Sequence, residues 1–283
     1  VSLTNWAAGG QSSVSLNGLL NVFADYKRGN TAWDNNLNLS YGETQLGGSD
    51  WIKSDDRILF NSKYGKKATE DWYYAALLNF KSQFAPGYTT AAEEDKISDF
   101  MAPGYLLGAL GMDYKPNENL TVFISPVTAK LTVVNIQSLA DRGDYGVEAA
   151  EYAGDNPDST KLKDGKNTRL EVGGYLRMMY KKDIMENVSF QTNIDLFSNY
   201  SEDPQNIDVN WDNVLSMKIN KFLTSTITTS LIYDHDIKIQ ETKSDGTPKL
   251  DAEGNPEIGP RTQFKYVIAV CECNLKDLIS ELH

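Results

Sequence analysis

Basic residues are scarce: lysine and arginine total 27 against 39 aspartates and glutamates in 283 residues, a formal net charge of −12. A nucleic-acid partner needs basic surface to neutralise phosphate, so that class is excluded. Long apolar runs are missing too. The best one, residues 105–112, is broken by Gly108 and Gly111 and falls far short of the roughly 20 residues of a membrane-crossing helix. Cysteine is almost absent. Cys271 and Cys273 are too few for a disulfide framework, and two ligands do not make a metal site. Gly-rich phosphate loops, H-E-x-x-H and C-x-x-C do not occur, so the expectation is no catalytic residue, no cofactor and no metal. The opening Val1-Ser2-Leu3-Thr4 has neither the basic patch nor the apolar core of a signal peptide.

What is abundant is amphipathic aromatic surface: 15 tyrosines and 5 tryptophans in a chain only 40% hydrophobic. A membrane barrel has this profile, because its wall needs only every second residue to be apolar and its interface girdles collect Tyr and Trp. Alternation recurs almost end to end. In residues 13–27, Val14, Leu16, Leu20, Val22, Ala24 and Tyr26 share one face and Ser15, Asn17, Asn21 and Asp25 the other. Leu170, Val172, Leu176, Met178 and Tyr180 oppose Arg169, Glu171, Arg177 and Lys181 in the same way. This period of two predicts strands near 13–27, 31–45, 51–64, 71–85, 102–115, 120–133, 167–182, 188–201, 207–220, 225–239 and 262–274. Their length suits tilted strands that need about 9 to 11 residues in hydrocarbon.

Short connections at 27–30, 65–70, 115–119, 182–187 and 221–224 alternate with long polar loops at about 85–101, 134–166 and 240–261. In outer-membrane barrels short turns face the periplasm and long loops face outward. Strand 13–27 then descends, and residues 2–8 form the end of a truncated first strand, giving about twelve. Tyr26, Trp33, Tyr64, Trp72, Tyr114 and Tyr180 flank the short turns on the apolar face, as an interfacial girdle would. The expectation is a single all-β domain over 1–283, a transmembrane antiparallel up-and-down β-barrel. Residues 275–283 are read as a helical or non-native tail, since Leu275, Leu278, Ile279 and Leu282 follow helical spacing.

Two blocks add a resemblance. Asn5-Trp6-Ala7-Ala8-Gly9-Gly10 with Ser13 and Leu16-Asn17-Gly18, and Trp33-Asp34-Asn35 with Leu37, Leu39 and Tyr41-Gly42, together resemble an uncharacterised Bacteroidota outer-membrane family, a domain of unknown function. The resemblance implies a barrel in the outer membrane of that bacterial group, in contact with its lipid. It supplies no activity.

Parity turns Arg57, Arg177, Asp195 and Asp212 inward, away from the strand ends. They are the lumen-lining candidates, and Arg177 is expected near Asp195 because their strands are consecutive. A narrow channel for small polar solutes follows, with selectivity set by opposed charge. The alternatives are a structural or accessory subunit held by other outer-membrane proteins, and an outer-membrane hydrolase built around His235. For the hydrolase, Asp234 and Asp236 flank the histidine on alternate faces, which disfavours a joint site. Loop acids such as Asp141, Asp144, Glu148 and Glu151 lack the spacing of a calcium loop.

Overall fold

A computed structural model describes residues 12–88, 96–154, 159–220, 223–236, 238–240, 249–250, 254 and 258–272. The expected truncated strand at 2–8 and the tail at 275–283 lie outside them. Among the described residues there are eleven long strands: β1 (Ser13–Arg28), β2 (Thr31–Leu46), β3 (Ile52–Lys67), β4 (Trp72–Ser82), β5 (Gly104–Asn117), β6 (Leu120–Val133), β7 (Thr168–Met185), β8 (Val188–Asn199), β9 (Ile207–Lys218), β10 (Leu223–Tyr233) and β11 (Gln263–Glu272). They form one sheet in sequence order, β1 through β11, each strand beside its neighbours in the chain. The class is all-β and up-and-down, and the described pairings are antiparallel.

Two compact units divide the chain: residues 1–66, 75–110 and 128–172 in the first, and 67–74, 111–127 and 173–283 in the second. In the first unit the register of β1, β2 and β3 sorts side chains by face. Leu20–Leu39–Ile58, Val22–Leu37–Phe60 and Tyr26–Trp33–Tyr64 are cross-strand rows on one face. Leu19–Ser40–Arg57, Asn21–Asn38–Leu59, Phe23–Asn36–Asn61 and Asp25–Asp34–Lys63 are rows on the other. A slip of one residue would exchange the faces, so the alternation itself fixes the register.

The long connection after β6 is folded rather than merely polar. Ala102, Val134, Leu139, Ala140 and Val147 make a small buried cluster, with Ile136 and Tyr145 packed against it. A five-residue helix, α1 (Gln137–Asp141), carries Leu139 and Ala140 into that cluster. Gly165 closes the loop against the helix end, where a Cβ would sit 2.2 Å from the Ala140 carbonyl oxygen. No other residue fits there.

The second unit shows the same sorting across five strands. Met178–Ile194–Trp211–Leu231–Phe264 is one continuous apolar row on β7 to β11. The adjacent rows, on the opposite face, are Arg177–Asp195–Asn210–Ile232–Gln263 and Met179–Asn193–Asp212–Ser230–Lys265.

Candidate functional site

The candidate sites are the polar faces of the strands, taken unit by unit. In the second unit the inward-parity positions of β7 and β8 meet as expected: the Arg177 guanidinium donates to both carboxylate oxygens of Asp195, Nε to Oδ1 at 2.5 Å and Nη2 to Oδ2 at 3.1 Å. Tyr175 donates its hydroxyl to the same carboxylate, and its ring packs edge-on against Phe123, centroids 6.2 Å apart. A bidentate arginine–carboxylate pair is among the stronger polar contacts a protein makes. The charge of Asp195 is thus paired, with the neighbour that consecutive strands predict. Asp212 sits one row along and accepts from Ser230 Oγ at 2.5 Å.

Beside it Asn193 Oδ1 is buried without a hydrogen-bond partner among the described residues. On β5, Asp113 is buried 3.2 Å from Lys115 Nζ, and that ammonium stands 5.4 Å from the centroid of the Tyr73 ring.

In the first unit Glu171 is buried between two cations, with Lys130 Nζ 3.4 Å from one oxygen and Arg169 Nη2 3.6 Å from the other. Arg169 also donates to the Gly146 carbonyl at 3.1 Å, which ties the folded loop to the wall. Arg57, the fourth candidate, is exposed on β3 opposite Ser40. Asp25, Asp34 and Lys63 share a row on the same face.

Two features escape parity reading. The first is Phe23, which lies on the polar face in register with Asn36 and is 68% exposed. The second is a buried ion pair, Lys53–Asp56. A register shift between Gly42 and Glu43 leaves Ser54 as an extra residue, and such a bulge reverses parity, so positions 53 and 56 come to one side.

The aromatic rows fall where the short turns are. Tyr26, Trp33 and Tyr64 are cross-strand neighbours and exposed, and Trp72 and Tyr114 stack with centroids 4.8 Å apart. Tyr180 pairs with Thr192, whose hydroxyl accepts from the Trp211 indole at 2.9 Å. His235 Nδ1 lies 3.2 Å from the Tyr233 hydroxyl, while the Asp236 amide donates to Asp234 at 3.0 Å, a local turn. Those three residues form a turn. Among the described residues no group of three or more His, Cys, Asp or Glu is placed to hold a metal.

The loop acids pair with loop cations. Asp141 accepts from Lys161 Nζ at 2.7 Å, from Gln137 Nε2 at 2.7 Å and from the Gly165 amide at 2.9 Å. Lys163 bridges Glu148 at 2.8 Å and Glu151 at 2.9 Å, and Lys166 adds a second contact to Glu148. Lysine hydrogen bonds hold the carboxyls of Asp141 and Glu148 down at about 2. A carboxylate with a depressed folded value contributes stability that is complete above its unfolded range and lost as pH falls through the folded one. Loop ordering is thus expected to be flat above about pH 4.5 and to fall away between about pH 4 and 2. Hydrogen exchange of residues 134–154 against pH checks this, and Asp141→Asn should loosen the loop at neutral pH.

Residues 1–88 match the model of a family described as "Protein of unknown function (DUF3078)". That stretch contains β1 to β4 and both sequence blocks that carry the resemblance. No curated protein matches the chain. Among solved structures, the NanC porin is similar at 8% identity and a TM-score of 0.36, over 92% of this chain and 99% of the porin. The FrpB iron transporter from Neisseria meningitidis is similar at 12% identity and a TM-score of 0.33, over 95% of this chain and 40% of the transporter. At such TM-scores, function has to be argued from this chain's own residues.

Proposed function

We propose that the chain is an outer-membrane β-barrel whose sheet closes around a water-filled lumen and passes small polar solutes. The observation that carries this reading is the sorting of whole cross-strand rows. In each unit one face carries rows of leucine, isoleucine, phenylalanine and tryptophan, ending at Tyr26–Trp33–Tyr64 in the first, while rows rich in asparagine, aspartate, lysine and arginine, with Leu19, Leu59, Phe23, Met179 and Ile232 among them, occupy the other. A lipid-facing apolar band bounded by aromatic girdles, backed by a wet face, is the pattern of a membrane barrel wall. A soluble sheet has no reason to place its aromatic ring row beside the short turns of its more exposed apolar face.

The lumen charges would set selectivity. Asp195 and Asp212 contribute negative charge on adjacent rows, and Arg177 partly neutralises the first. Reconstitution in planar bilayers is expected to give ion current, and Asp195→Asn with Asp212→Asn should shift it toward anions, because removing negative charge from a pore lowers its attraction for cations. A silent wild-type protein would reject the channel. It would favour a structural subunit of a larger outer-membrane assembly, the reading supported by the closed Lys130–Glu171–Arg169 cluster and its tie to Gly146.

A further inference from the structure

We propose that the polar face of β1 to β3 binds neutral, polyhydroxylated solutes, sugars in chemical class, with the Phe23 ring as the platform on which a sugar ring stacks. This rests on the channel reading and names its substrate class. Between the charged positions Arg57 and Asp25–Asp34–Lys63 the lining is amide. Asn21, Asn36, Asn38 and Asn61 occupy neighbouring positions on that face, and Asn79 joins them by donating to Asn61 Oδ1 at 2.6 Å. Asn38 donates in turn to Asn36. Each side-chain amide carries two N–H donors and an oxygen with two lone pairs, more capacity than these contacts use. Uncharged donors and acceptors interleaved at this density match hydroxyl groups, which also donate and accept.

Phe23 supplies the second, independent element. Its ring faces Asn36 across the ladder, on a face that also carries Leu19 and Leu59, and is 68% exposed on the terminal strand of the sheet. Directly opposed side chains stand about 5 Å apart and diagonal ones about 7 to 8 Å, so a six-membered sugar ring lying on Phe23 reaches Asn36 and Asn38 together. Binding sites of this kind pair an aromatic surface with a few placed polar groups. The next row holds Asp25, Asp34 and Lys63; its carboxylates accept hydroxyl hydrogens, and its net negative charge disfavours anionic solutes.

The test uses the full chain in planar bilayers with maltotriose as the probe and gluconate as its anionic counterpart. Maltotriose is expected to reduce the ion current in a concentration-dependent way. Phe23→Ala should raise the concentration for half-block about tenfold or more, equivalent to about 1.4 kcal/mol, and Phe23→Tyr should retain it. Current that maltotriose leaves unchanged, a half-block unaffected by Phe23→Ala, or equal block by gluconate would each overturn the sugar assignment while leaving the channel intact. Absence of current would reject the channel instead. Saturation-transfer NMR of maltotriose with the detergent-solubilised protein then decides the site separately: transfer that Phe23→Ala abolishes supports it, and no transfer overturns it.

Discussion

Leu37→Arg is expected to destabilise the protein in lipid by about 2 to 4 kcal/mol, the range for a cation near the midplane of a barrel wall. Leu37 sits in the middle of the Val22–Leu37–Phe60 row, four residues from Trp33 and four from Tyr41 on β2. At about 3.4 Å per residue each ring is ~14 Å along the strand, so the position lies at the greatest depth the strand offers. Asn38→Arg, one residue on, points to the polar face and should cost much less. Equilibrium urea unfolding in vesicles measures both. Equal losses would mean that the two faces do not differ in environment.

The second large effect belongs to Asp56→Ala, for which about 3 to 5 kcal/mol is expected, the cost of breaking a buried ion pair by removing one partner. The Asp56 side chain is 2% exposed and 2.9 Å from Lys53 Nζ. Its oxygens also accept the Phe84 amide at 2.7 Å and the Ala85 amide at 2.9 Å. Lys53 donates further to Gln83 Oε1 at 2.9 Å and to the Ala85 carbonyl at 2.7 Å. Truncation leaves an ammonium without its counter-ion and two amides without an acceptor, at the point where β4 gives way to the loop after it. Asp56→Asn keeps one acceptor and should lose less. A loss below about 1 kcal/mol in the same unfolding assay, the size of a surface pair, would contradict this role.

The strands were legible because period two is a local signal. Alternation alone places β6 at 120–133 and β2 within a residue of its observed end, and the adjacency of Arg177 and Asp195 follows once β7 and β8 are consecutive. Parity fails where an extra residue enters a strand. Lys53 and Asp56 are one such place. Burial parity also changes along β6, from Phe123 and Ser125 to Thr128 and Thr132 across Pro126 and Val127, so parity counted from one end misassigns the other. Phe23 is missed for a different reason: an apolar residue at a polar-face position reads as noise until a register shows it facing Asn36. The loop core was partly readable, since Ile136, Leu139 and Ala140 have helical spacing inside a stretch that reads as polar.

The central claim is that adjacent residues at mid-depth meet lipid on one side and water on the other, and spin labels on Leu37 and Asn38 test it most directly. The labels would be introduced as single cysteines in a chain with Cys271 and Cys273 replaced by serine, reconstituted in bilayers. The account predicts that the label at 37 collides preferentially with oxygen dissolved in the hydrocarbon and the label at 38 with a water-soluble nickel chelate. Oxygen-dominated collisions at both positions, or the reverse assignment, would contradict it.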